Sequence, residues 1–198
     1  MTDRRMERRV LVAGVGNVFL GDDGFGVEVV RALGAHPVPA GVDVVDVGVR
    51  GVHLAYQLLD GYRTLVLVDA VSRGEPPGTL QLIEVFEAGS GPVEPSAVPA
   101  LDGHRMGPDA VLALLATLSA GTGGTPPDRV LVVGCEPGST AEGMGLSAPV
   151  GAAVGEAVRM VLRVLDEETR TTAGTGSAAE AAGDSRSGTS GKAEASSC

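Results

Sequence analysis

The sequence predicts an α/β protein, a three-layer α/β/α sandwich around a mixed, mostly parallel five-stranded sheet. Three observations carry this prediction. Short β-branched apolar runs alternate with stretches whose apolar residues recur at helical spacing. Aromatic residues make up only 3% and Trp is absent, so Val, Leu and Ala must fill the interior, as in strands covered on both faces. The chain has 198 residues, 43% of them hydrophobic, enough for one substantial core and a single domain.

The elements follow in order. Residues 10–13 form a buried strand that breaks at Gly14 and Gly16, after which Val27, Val30 and Leu33 mark a helix. Residues 42–47 give a second strand, and 51–59 a short helix bearing Leu54, Leu58 and Leu59. The run TLVLVD at 64–69 is the most apolar and suits the centre of the sheet. Residues 79–85 alternate apolar and polar, the pattern of a strand nearer an edge, and the short RGEPPG turn before them permits antiparallel entry. Residues 87–99 are rich in Gly, Pro and Ser and read as a long surface loop. Pro108 opens a helix striped by Val111, Leu112, Leu115 and Leu118. Residues 129–134 form the last strand. Ser147 is the expected N-cap of a final helix whose core face is Val150, Val154, Val158, Val161, Leu162 and Leu165. The domain so defined spans 1–168. Residues 169–198 contain no bulky apolar side chain, and their composition predicts a disordered tail.

A net charge of −10 offers no basic face for phosphate, which argues against nucleic acid. No run approaches the roughly 18 apolar residues of a membrane span. The paired arginines before the first apolar run resemble a twin-arginine export signal, but Asn17 interrupts that run, Asp22 and Asp23 close it, and no small-residue cleavage site follows. Cys135 and Cys198 lie far apart, so no structural disulfide is expected and a reducing cytoplasm is the expected location.

Chemistry is expected at the carboxyl ends of the strands, where open α/β sheets bind ligands. Asp22 and Asp23 follow the first strand, and Asp69 closes the third. They converge if those strands are neighbours. The pattern Gly14-x-Gly16 suggests a dinucleotide turn, but Phe19 stands where the third glycine belongs and acids follow where pyrophosphate would sit. A buried carboxylate needs a partner, and Asp69 could also serve simply as a cap at a strand end. His36 reads as a surface residue in a proline-flanked loop and His53 as structural, whereas His104 ends the long loop just ahead of a helix. Two carboxylates and an imidazole suit a borderline divalent ion such as Zn²⁺ or Ni²⁺, or an acid/base site.

Five segments in order resemble the hydrogenase maturation proteases over roughly residues 9–165: GVGNVFLGDDGFGVEVV, LVLVDAV around Asp69, PGTLQLIE, GHRMGPDAVLALL around His104, and VGCEPGSTAEGMGLSAPV. The resemblance implies an aspartate-containing, metal-dependent endopeptidase that trims the C-terminus of the large-subunit precursor of a [NiFe] hydrogenase. It carries both the metal-binding and the catalytic role onto Asp23, Asp69 and His104. The metal implied is nickel already inserted in the precursor, with zinc or cadmium as other divalent ions the site would take. The first-loop ligand in this family is often glutamate; Asp23 is one methylene shorter, with Asp22 the alternative, and the flanking Gly21 and Gly24 would let the loop approach more closely. A non-catalytic factor of the same fold, recognising the subunit or its nickel without cutting, is the alternative.

Overall fold

The computed structural model describes residues 9–87 and 126–180. Strands β1 (Val10–Val15), β2 (Val42–Gly48), β3 (Thr64–Ala70), β4 (Leu80–Glu87) and β5 (Arg129–Cys135) form one sheet in the order β2-β1-β3-β5-β4. β1 pairs in parallel with both β2 and β3, and β3 in parallel with β5; β4 alone is antiparallel, on the outer edge of β5. The fold class and the edge position of β4 are as the sequence predicts. Helices α1 (Phe25–Leu33), α2 (Gly51–Leu58) and α3 (Ala148–Glu180) complete the described elements. Of the loop predicted at 87–99, Glu87 instead ends β4, and the remainder, the helix opening at Pro108, and His104 between them lie outside the described residues, as does Cys198.

Strand alternation builds the layers. Val10 and Val12, Val66 and Val68, and Leu131 and Val133 point to one face, where they meet Phe25, Val29 and Leu33 of α1 and Val150, Val158, Val161 and Leu165 of α3. Leu11 and Ala13, Leu65 and Leu67, and Val130 and Val132 point to the other, against Leu54 and Leu58 of α2. Each fully buried aliphatic side chain contributes about 1.5–3 kcal/mol, so the three central strands, buried on both faces, anchor the fold.

Polar ties hold the amino ends of the strands, opposite the expected site. Glu168 of α3 accepts the Thr64 hydroxyl at 2.7 Å, Arg63 at 3.0 Å and Arg129 at 2.6 Å. Arg9 pairs with Asp43 at 2.6 Å and lies over the Tyr62 ring, 4.2 Å from its centroid. α3 begins where the sequence places it, but it runs on to Glu180, into the segment whose composition predicts disorder. Thr169 bonds its hydroxyl back to the Leu165 carbonyl at 2.9 Å.

Candidate active site at the carboxyl edge of the sheet

Parallel pairing of β1 with β3 places the turn bearing Asp23 beside the end of β3, which carries Asp69. Glycines then make their approach close. Gly16 has φ of 128°, and a Cβ there would stand 1.8 Å from the Asp23 carbonyl oxygen, so the turn can fold back onto β1 only with glycine. At Gly26, in the first turn of α1, a Cβ would meet the Val68 carbonyl oxygen at 2.0 Å and that of Val15 at 2.3 Å. The amino end of α1 is thereby seated on the ends of both strands. A 3₁₀ turn, Gly21–Gly24, leads into it and carries both acids.

The two adjacent aspartates have different surroundings. Asp22 is 1% exposed, and both of its oxygens are engaged. Oδ1 accepts the Ser147 N–H at 2.6 Å; Oδ2 accepts the N–H groups of Gly138 and Ser139 at 2.8 and 2.9 Å and the Ser147 hydroxyl at 2.9 Å. Burial alone would raise its pKa, but these donors prevail and hold the carboxyl below the usual carboxylate range. Three of the four donors converge on Oδ2 and one on Oδ1. Asp22 is therefore a structural anchor at the amino end of α3, favourable also to the helix dipole, and Ser147 spends its hydroxyl on this anchor.

Asp23 and Asp69 are 8% and 9% exposed. Asp23 Oδ2 accepts the Asn17 N–H at 2.9 Å, and Asp69 Oδ1 accepts the N–H of the following residue, Ala70, at 2.8 Å. Gly21, with φ of 55°, lies against the Ser139 carbonyl, where a Cβ would come to 2.9 Å. It thus contributes close packing of the turn. Among the described residues no three His, Cys, Asp or Glu side chains stand together as a metal site. His36 and His53 are both exposed.

Two neighbours of the site carry no signal of a role in the sequence pattern beyond their place at a strand end. Glu136, directly after β5, is 4% exposed and accepts the Ser72 hydroxyl at 3.1 Å and the N–H groups of Arg73 and Gly74 at 2.6 and 3.3 Å. The Arg73 amide above all, against the opposing effect of burial, keeps its pKa below the ordinary glutamate value. A strand-end acid in CEPGS, placed as Asp69 is in LVDAV, was the available signal. Cys135 is fully buried with a free thiol. Burial first, then the charges of Asp22 and Glu136, push that thiol up to about 11, which keeps it protonated and unreactive at neutral pH.

The fold and its site define an α/β sandwich with largely buried carboxylates gathered where its parallel strands end. The chain belongs to the hydrogenase maturation protease family, whose model matches residues 27–164. It is 32% identical over 165 residues to the hydrogenase expression/formation protein HupD of Rhizobium leguminosarum bv. viciae, covering 79% of this chain and 74% of that protein. Among solved structures it resembles the hydrogenase maturating endopeptidase HybD from E. coli at 33% identity and a TM-score of 0.62, covering 80% of this chain and 93% of that one. The hydrogenase 2 maturation peptidase from Thaumarchaeota archaeon SCGC_AB-539-E09 is 34% identical with a TM-score of 0.60, over 79% and 97% of the two chains. The protein is thus an endopeptidase of hydrogenase maturation. No helix among the described residues is long and apolar enough to cross a membrane.

Proposed function

We propose that this endopeptidase removes the C-terminal extension of a nickel-loaded [NiFe] hydrogenase large-subunit precursor, with Asp23, Asp69 and His104 meeting the nickel that the precursor brings. The observation that carries this reading is the pair of nearly buried carboxylates on adjacent strand ends, each with one oxygen oriented by a backbone N–H. Backbone donors of this kind fix the direction of a metal-binding carboxylate. Two carboxylates match the charge of a divalent ion, and an imidazole from His104 would complete a donor set suited to nickel, zinc or cadmium. Such an ion supplies charge stabilisation at a carbonyl oxygen or a fixed reference point for the precursor. The protein's own contribution is to hold Asp23 and Asp69 in place and to limit the water around them.

The test is to incubate the protein with nickel-loaded and nickel-free precursor and compare subunit masses. Cleavage of the loaded form alone is expected. Asp69→Asn and His104→Ala should abolish cleavage with the circular dichroism spectrum unchanged; full processing by either variant would refute the ligand assignment.

A further inference from the structure

Asp22 and Glu136 are the two buried carboxylates at this edge of the sheet that the proposed chemistry does not use. Each accepts backbone N–H groups from a segment other than its own. Asp22 sits in the turn that carries Asp23 and takes its donors from Gly138, Ser139 and Ser147. Glu136 opens the segment 136–147 and takes its donors from Ser72, Arg73 and Gly74, the loop that leaves β3 directly after Asp69.

The segment 136–147 is therefore a strap: Glu136 ties its first residue to the loop that follows β3, and Asp22 ties it at Gly138, Ser139 and Ser147 to the turn that carries Asp23. Backbone bonds reinforce both attachments: Asp22 N–H to the Ser139 carbonyl at 3.0 Å, Gly21 N–H to that of Gly143 at 2.9 Å, and Val71 N–H to that of Cys135 at 2.9 Å. An apolar side chain at either position would fill space but could not gather several amides onto one point.

We propose that Asp22 and Glu136 are positioning residues that set the separation and direction of Asp23 and Asp69 through this strap. This rests on the reading that Asp23 and Asp69 meet the metal. A merely structural role would lower stability and leave each folded molecule fully competent, and the experiment separates the two.

Asp22→Asn, Glu136→Gln, and the milder Ser147→Ala and Ser72→Ala are compared with Glu168→Gln, which weakens an equally buried network at the opposite end of the sheet. All are measured at a temperature where circular dichroism shows them folded. The readouts are Cd²⁺ affinity by calorimetry, and kcat and KM for cleavage of the nickel-loaded precursor. The carboxylate variants should lose about 10- to 100-fold in Cd²⁺ affinity and in kcat, as outer hydrogen-bond partners of metal ligands do. The two serine variants should lose less, with no change in fold, and Glu168→Gln should lower only the melting temperature. Wild-type affinity and kcat in the folded serine and carboxylate variants, with Asp69→Asn defective, would overturn the positioning role alone. If Asp69→Asn also kept wild-type values, the ligand reading would fall, and this proposal with it.

Discussion

Gly26 tests most directly whether the seating of α1 governs the site. An alanine Cβ there would lie 2.0 Å from the Val68 carbonyl oxygen, 2.3 Å from the Val15 carbonyl oxygen and 2.8 Å from the Val15 nitrogen, whereas ordinary contact begins near 3.4 Å. All three obstacles are backbone, so no side-chain rotation relieves them. The first turn of α1 must retreat from β1 and β3 by about 1 Å or more, and the turn bearing Asp23 moves with it while Asp69 stays on β3. Overpacking of this kind costs about 1–3 kcal/mol, slightly offset by alanine's better helix propensity, and leaves a domain of ordinary stability folded. The melting temperature should fall by roughly 3–10 °C. A displacement of about 1 Å between cooperating groups costs on the order of 100-fold in rate, so cleavage of the precursor should fall by that factor. Gly155 supplies the reference. It lies in α3 with nothing within 4 Å of its Cβ position, so alanine there should raise the melting temperature by about 2–4 °C and leave cleavage untouched. Gly26→Ala with wild-type cleavage and a lowered melting temperature would refute the link from helix seating to site geometry; an unchanged melting temperature would refute the clash itself.

Two further perturbations probe the remaining buried ionisable groups. Burial would raise the pKa of Glu168, but the Thr64 hydroxyl and the guanidinium groups of Arg129 and Arg63 outweigh it and hold the carboxyl below its ordinary value of 4.5. A folded-state pKa below the unfolded one contributes stability that is complete above the unfolded value and is lost as pH falls through the folded one. Glu168→Gln should therefore cost about 1–3 kcal/mol at neutral pH, and the gap in melting temperature from wild type should shrink below about pH 4; a gap independent of pH would contradict the assignment. Cys135→Ala should leave cleavage intact and cost about 1 kcal/mol of packing, and iodoacetamide should not inhibit the folded protein. Inhibition by iodoacetamide that the variant escapes would overturn the reading of Cys135 as an inert core thiol.

The fold was legible because its signals are local. Runs such as TLVLVD are too uniformly apolar for anything but a strand covered on both faces, and the alternation at 79–85 reports the edge. Strand ends shifted by only a residue or two because the last residue of each strand is fixed by its partner. The 33-residue length of α3 was not legible, since neither the spacing of its core face nor its Gly and Thr content predicts continuation past Arg170. Asp69 could be placed at the carboxyl end of its strand from the sequence, and its nearness to the first-loop acids then follows from the pairing of β1 with β3. Glu136 could not be given a role, because its partners at Ser72, Arg73 and Gly74 are brought to it by the pairing of β3 with β5. Gly26 was invisible for the same reason: inside a helical pattern a glycine looks tolerated, and only the strand ends beneath it reveal why a side chain is forbidden.

The adjacent aspartates show why a pair of acids need not be a pair of ligands. Consecutive residues in a 3₁₀ turn point about a third of a turn apart, so Asp22 and Asp23 cannot both face one point. Asp22 turns toward the start of α3, where amides and a hydroxyl meet it, and its charge is stabilised without any metal. Asp23 turns toward Asn17, whose backbone N–H its Oδ2 accepts at 2.9 Å. If Asp23 meets a metal as proposed, the anchoring of the first acid is what would let the second be short: a glutamate arm would search for the ion from a looser turn, whereas an aspartate would have to be delivered by the backbone, which the bonds at Asp22 hold in place. It follows that Asp23→Glu should be tolerated better than Asp22→Glu, because the added methylene at Asp23 lengthens an arm while at Asp22 it displaces the start of α3. Comparing the cleavage rates and melting temperatures of the two variants tests this, and equal losses in both would refute the division of roles.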